Sequence, residues 1–329
     1  MPKRKALVTR ALPEAGMRLM REACALRVWE EDRPIPRLTL LDWARGMEGI
    51  ACLLSDPLDA EVIASAGPGL KVIATMAVGY DNVDVREATR RGIVVGNTPG
   101  VLTEATADLA WALLLALGRR VVEGDRLVRS GRWNGWGPIQ LVGADLAGRV
   151  LGIVGLGRIG SAVARRAVGF GMEVIYHNRK PPAPEVKKNL NARYVGMDEL
   201  LAASDFISLH CPLNEQSRHL IDAAALARMK PSAYLVNVAR GPVVDEAALV
   251  EALRGRRIAG AAFDVYEREP VLSPGLAELD NVVLAPHLGS ANVTTRNRMA
   301  EMTAENLLAG LEGRMPPWCV NPEAVKKHP

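Results

Sequence analysis

The chain has 329 residues, nearly half of them hydrophobic and about a quarter charged, with a net charge of +4 spread along its length. A typical domain holds only ~100–150 residues, so two domains with sizeable cores are expected. The basic residues fall in short clusters (Lys3-Arg4-Lys5, Arg119-Arg120, Arg256-Arg257, Lys326-Lys327) with no interleaved aromatics, which argues against a nucleic-acid surface, and Cys24, Cys52, Cys211 and Cys319 form no CxxC pair, which argues against a metal site or a disulfide framework.

At the N-terminus Arg10 and Glu14 interrupt any apolar stretch of signal-peptide type. The short apolar runs Lys5–Thr9, Leu26–Glu30, Ile50–Ser55, Lys71–Thr75 and Gly92–Asn97 read as buried strands, with helical stretches such as Pro57–Ala66 between them. This alternation predicts a parallel sheet covered by helices. Thr103 to about Ser130 reads as one long helix with an N-cap candidate, early acids, and Leu109, Leu113, Leu117, Val121 and Val128 nearly aligned. Such a helix suits either a core or a dimer interface. It contains the longest apolar run, Leu109–Gly118, which is well short of the ~20 residues that span a bilayer. No membrane association and a cytoplasmic location are expected.

A second series begins at Arg149, with strands at Val150–Val154, Glu173–Tyr176, Phe206–His210, Tyr234–Val238, Gly260–Phe263 and Val282–Ala285. Helices between them start near Arg158, Asp198, Ala223 and Asp245, and six strands with crossover helices suit a Rossmann-type domain. Pro181–Glu185 reads as a loop, and a last helix spans Thr294 to Leu311.

Gly155-Leu156-Gly157-Arg158-Ile159-Gly160 is GxGxxG. It follows an apolar strand and opens an amphipathic helix, the context in which this pattern binds a dinucleotide. Its glycines let backbone approach a pyrophosphate, whose charge sits at the positive end of the helix dipole. The acid that usually contacts the ribose is expected at position 178, where the chain has Asn178 followed by Arg179 and Lys180. An Asp there would repel a 2′-phosphate; Asn178 removes that repulsion, and Arg179 offers charge-assisted bonds. NADPH is therefore the expected cofactor, with NADH also admissible, unless Arg179 is ordinary solvated charge.

Arg240, Asp264 and His287 each fall just past the end of a predicted strand, and Glu269 follows Asp264. Open α/β sheets bind ligands at their carboxyl edge, so these residues are expected around one crevice. A cation, a carboxylate and an imidazole there suit reduction of a keto acid. Arg240 would clamp the substrate carboxylate, His287 would protonate the carbonyl oxygen, and Glu269 would hold the imidazole and favour its protonated form. Taken singly, each has an ordinary structural reading as a surface ion pair, a solvated turn or a packed imidazole. His210 and His219 read as structural and His328 as tail.

From Lys5 to about Gly313 the chain resembles the D-isomer-specific 2-hydroxyacid dehydrogenases. The residues that carry the resemblance are, in order, VGYDNVD, TPGVLTEATADLAWALLLA, GIVGLGRIG, HCPLNEQSRHLI, YLVNVARGPVVDEAALVEAL, AAFDVYEREP and APHLGSA. Two stretches, TPGVLTEATADLA and WNGWGPIQLVGADLAGRVLGIVGLGRIG, look most like glyoxylate and hydroxypyruvate reductases. The resemblance implies two α/β domains, Rossmann-like and flavodoxin-like with parallel sheets, and a cleft between them. Residues 1–101 and 292–329 would form the substrate domain and 102–291 the dinucleotide domain. Arg240, Glu269 and His287 match the family's catalytic residues, and Val78 and Gly79 match the amides that take the substrate carboxylate. Thr106 and Asp264 match positions near the nicotinamide, Arg158 and Ile159 cover the pyrophosphate, and Val238, Ala239 and Gly289 lie in cofactor-facing loops. Trp136 matches a residue that reaches the partner subunit's site, so the resemblance implies a homodimer.

The resemblance therefore implies reduction of glyoxylate to glycolate and hydroxypyruvate to D-glycerate. The alternatives are a dehydrogenase of a bulkier D-2-hydroxyacid or of phosphite, and a non-catalytic, corepressor-like dinucleotide sensor. The His287 and Glu269 pair argues against formate.

Overall fold

Five short strands form the first sheet of the computed structural model, which describes residues 3–180 and 190–327. They are β1 (Arg4–Val8), β2 (Cys24–Val28), β3 (Gly49–Cys52), β4 (Val72–Thr75) and β5 (Val94–Gly96). All pairings are parallel and the order is β2-β1-β3-β4-β5, the flavodoxin-like arrangement. β3, β4 and β5 are buried at every position, as strands covered on both faces must be. Four helices connect these strands: α1 (Glu14–Ala23), α2 (Arg37–Ala44), α3 (Ala60–Ala66) and α4 (Val85–Arg90). The observed strand edges lie within three residues of those read in the sequence.

The chain divides into two units. One runs to Leu102 and resumes at Asn292, and the other is Thr103–Ala291. The long helix expected over Thr103–Ser130 is instead two, α5 (Thr103–Gly118) and α6 (Val121–Arg129). The break has a local cause. The Ala144 N–H donates to the Gly118 carbonyl at 2.8 Å, taking the acceptor a continuing helix needs, and Arg120 turns left-handed with φ +53°. Leu113 and Leu117 are buried, whereas Val121 and Val128, expected on the same face, are exposed.

The second sheet contains β6 (Val150–Val154), β7 (Glu173–His177), β8 (Ala192–Tyr194), β9 (Phe206–Leu209), β10 (Tyr234–Asn237), β11 (Gly260–Phe263) and β12 (Val282–Leu284). Among the described residues it has seven strands rather than the six expected, in the order β12-β11-β10-β9-β6-β7-β8, and all pairings are parallel. The additional strand, β8, is a half-exposed edge of three residues with no apolar run to announce it. The loop expected at Pro181–Glu185 lies outside the described residues, as does His328. Among the described residues the helices between these strands are α7 (Arg158–Ala167), α8 (Met197–Ala203), α9 (Ala223–Arg228) and α10 (Glu246–Arg254), and a last helix α11 (Val293–Leu311) belongs to the first unit. There α11 meets α1 so closely that a Cβ on Gly16 would lie 2.3 Å from the Ala300 carbonyl oxygen.

Candidate active site

Asn237 ends β10 fully buried, and its side chain folds the next three residues. Its Oδ1 accepts the Ala239 N–H and its Nδ2 donates to the Arg240 carbonyl, both at 3.0 Å. Val238 and Ala239 form this turn, and Arg240 leaves it with extended backbone (φ −144°, ψ 140°). The guanidinium Nη1 donates to the Ala239 carbonyl at 2.9 Å. Gly241 follows, where a Cβ would lie 1.9 Å from the carbonyl carbon and oxygen of Tyr266 and 2.4 Å from the Glu267 nitrogen. The Arg240 turn thus rests on the main chain that leads to Glu269, and only glycine permits the approach.

Asp264 follows β11 and is 1% exposed. It accepts the Leu288 N–H at 2.5 Å and the Gly289 N–H at 2.8 Å, while its carbonyl takes the His287 N–H at 2.9 Å. Thr106, in the first turn of α5, donates to the Gly289 carbonyl at 2.9 Å. These four bonds hold His287 at φ +55°, a left-handed conformation that an ordinary side chain adopts only when its surroundings enforce it. Burial pushes the Asp264 carboxyl up; the Leu288 and Gly289 amides and the His287 charge oppose the rise, and the Glu269 charge adds to it.

So held, His287 meets Glu269: Nδ1 and Oε2 are 2.9 Å apart. A carboxylate only accepts, so Nδ1 carries the proton and Nε2 is left for a substrate. The other Glu269 oxygen accepts the Tyr266 N–H at 3.0 Å. Burial works to raise the Glu269 carboxyl, but the His287 hydrogen bond and charge, the Tyr266 amide and the Arg240 charge outweigh it and hold the group below the usual Glu range. The His287 and Glu269 side chains remain 27% and 30% exposed, so solvent and small molecules reach the pair. Tyr266 donates its hydroxyl to the Ala285 carbonyl at 2.9 Å; burial, then the charges of Asp264, Glu246 and Glu269, push this phenol up to about 12, so it stays a fixed donor.

The glycine turn lies in the same unit, after β6. Gly155 has φ +100°, and a Cβ there would lie 2.7 Å from the Cys211 nitrogen. A Cβ on Gly160 would lie 2.3 Å from the Gly155 carbonyl oxygen, so this glycine lets α7 pack against the strand. Gly157 instead opens on free space, and no side chain among the described residues caps the start of α7, where Arg158 and Ile159 stand. One glycine to turn, one to leave room and one to pack is the set a pyrophosphate requires, so these residues fit a dinucleotide.

A family model for the D-isomer specific 2-hydroxyacid dehydrogenase NAD binding domain matches residues 111–289. The chain is 50% identical over 327 residues to a glyoxylate reductase of Thermococcus onnurineus, covering 98% of this chain and 97% of the relative. The chain belongs to the D-isomer-specific 2-hydroxyacid dehydrogenases. A glyoxylate reductase of Korarchaeum cryptofilum is also 50% identical, over 99% of this chain and 98% of its own length. Among solved structures, a protein of Thermus thermophilus superposes with TM-score 0.88 at 50% identity, covering 96% of this chain and 99% of that one. An NADPH-dependent glyoxylate/hydroxypyruvate reductase of Sinorhizobium meliloti, in complex with NADP and malonate, superposes with TM-score 0.86 at 35% identity, with 98% of each chain covered.

In this dehydrogenase one unit brings together Arg240, Glu269, His287, Asp264, Thr106, Val238, Ala239, Gly289 and the glycine turn. Val78 and Gly79 stand in the other, after β4, where Asn97 Nδ2 donates to the Val78 carbonyl at 2.8 Å. Trp136 is 86% exposed, between α6 and β6. Asn178 does more than omit a negative charge: its Oδ1 accepts the Leu156 N–H at 2.6 Å and braces the glycine turn. Arg179 is exposed and its Nη1 donates to Gln216 Oε1. Sequence reasoning missed Asn237, Gly241 and Glu246, which shape the site from behind. The glycine directly after Arg240 is the one signal that could have revealed them. Among the described residues no acids, histidines or cysteines are grouped to hold a metal ion, and no helix is long and apolar enough to cross a membrane.

Proposed function

We propose that this dehydrogenase reduces small 2-keto acids, glyoxylate to glycolate and hydroxypyruvate to D-glycerate, with NADPH as preferred cofactor. The observation that carries the chemistry is the His287–Glu269 pair at 2.9 Å beside the turn that presents Arg240. When bound, the reduced nicotinamide supplies a hydride to the carbonyl carbon. Arg240 takes the substrate carboxylate in charge-assisted bonds. Nε2 of His287 gives its proton to the carbonyl oxygen, and the Glu269 carboxylate stabilises the imidazolium that must stand ready. In the oxidising direction the neutral imidazole takes that proton back.

Gly155, Gly157, Gly160, Arg158 and Ile159 would hold the pyrophosphate, with Thr106, Val238, Ala239, Asp264 and Gly289 shaping the nicotinamide side. The NADPH preference rests on Asn178 and Arg179, and the NADP bound by the Sinorhizobium meliloti reductase supports it. The names of the relatives at 50% identity support the substrate choice. In this reading the enzyme works in the cytoplasm as a homodimer, and Trp136 limits substrate size from the neighbouring subunit. The test is the initial rate of NADPH and NADH oxidation with glyoxylate, hydroxypyruvate and pyruvate in turn. Fast NADPH turnover with the first two is expected; faster turnover with NADH would overturn the cofactor assignment, and none with any acid would overturn the reaction.

A further inference from the structure

Behind the His287–Glu269 pair stands a second imidazole–carboxylate pair. His219 Nε2 lies 2.7 Å from Glu267 Oε1, and His219, like His287, is held left-handed, at φ +50°. Its backbone N–H donates to the Pro242 carbonyl at 2.8 Å. One residue therefore grips both segments of the site, the Arg240 turn through its main chain and the Glu269 segment through its ring.

Glu246 grips the same segment as well. It opens α10, is 1% exposed, and uses both oxygens on one loop: Oε1 accepts the Glu267 N–H at 2.5 Å and Oε2 the Ser273 hydroxyl at 2.7 Å. Its own N–H points to Glu267 Oε2 at 3.5 Å, and Arg218 Nη1 stands 3.9 Å from Glu267 Oε1. Glu267 and Ser273 flank Glu269 in sequence, so a carboxylate taken out of water at considerable cost is satisfied by one backbone N–H and one hydroxyl of the segment that carries Glu269. Gly241, pressed on the Tyr266–Glu267 peptide, closes the assembly.

We propose that His219, Glu267 and Glu246 are positioning residues that set Glu269 in register with Arg240 and so aim His287. The proposal rests on the catalytic reading of Arg240, Glu269 and His287. Displacing catalytic groups by 1 Å costs up to ~10²-fold in rate, so a clasp that fixes two loops against each other has a catalytic effect without touching substrate.

The test uses His219, whose side chain is 38% exposed, so its replacement spares the core. His219→Leu is expected to lower kcat by roughly 10–100-fold, leave the Kd for NADPH unchanged, and move the alkaline fall of the kcat/KM profile to lower pH as Glu269 slackens from His287. His219→Gln, which restores a donor to Glu267, is expected to recover most of the rate and the profile. Glu246→Gln is expected to reproduce the His219→Leu profile. Wild-type kcat and profile in His219→Leu would overturn the proposal, as would a lower Tm and kcat with an unmoved profile, the signature of a merely structural pair. His287→Ala measured in parallel separates the two levels: if it kept full turnover, the catalytic reading and this proposal would fall together.

Discussion

Gly241→Ala is the smallest change that separates the two halves of the proposed catalytic apparatus. The added Cβ would lie 1.9 Å from the Tyr266 carbonyl, whereas real Cβ atoms essentially never come closer than 3.0 Å. Both neighbours are backbone, with no flexible side chain to swing away, so the Arg240 turn and the Glu269 segment must part by about 1.1 Å. A displacement of that size in catalytic groups is worth on the order of 10²-fold in kcat. The overpacking itself costs about 1–3 kcal/mol, a Tm drop of roughly 2–4 °C per kcal/mol in a unit of this size. The glycine turn after β6 is untouched while the Val238–Ala239 turn moves with Arg240, so NADPH affinity should fall far less than kcat. Stopped-flow or steady-state kcat, cofactor titration by fluorescence and thermal melting together read these three quantities. A folded Gly241→Ala enzyme with wild-type kcat would refute the claim that this backbone contact sets the catalytic geometry.

Glu269→Gln should move the alkaline fall of kcat/KM to lower pH, since the charge coupling that lowers the Glu269 carboxyl also favours the imidazolium; an unmoved profile would mean the pair is not coupled in solution. The same lowered carboxyl contributes stability that is present above the ordinary Glu range and is lost as pH falls through its depressed folded value, so the Tm gap between wild type and Glu269→Gln should close in acid. A gap that stayed constant with pH would assign the difference to packing instead. Arg179→Ala should raise the KM for NADPH about tenfold or more while leaving that for NADH nearly unchanged, and equal changes with both cofactors would remove the basis for the NADPH preference.

Much of this was legible in the sequence because the informative residues lie at strand ends. Arg240, Asp264 and His287 each follow a run of buried apolar residues, and a parallel sheet delivers such residues to one edge whatever the details of packing. The glycine turn was legible for a similar reason, since its three glycines answer separate local demands at Gly155, Gly157 and Gly160. What the sequence hid depends on contacts between segments far apart in the chain. The end of α5 is decided by the Ala144 N–H reaching the Gly118 carbonyl from 26 residues further along the chain. β8 pairs only at one edge, with too few apolar side chains to show a pattern. Glu246 looks like an ordinary acid in the first turn of a helix, and only the fold shows it buried against the Glu267 and Ser273 segment.

In the proposed reaction His287, oriented by Glu269, delivers the proton while a nicotinamide reduces a small keto acid. The most direct test of this role is His287→Ala, with NADPH binding and glyoxylate turnover measured on the same preparation. An unchanged cofactor Kd is expected, with kcat lowered by ~10²–10⁴, the usual worth of general acid assistance. An enzyme that bound NADPH normally and kept its wild-type kcat would contradict it.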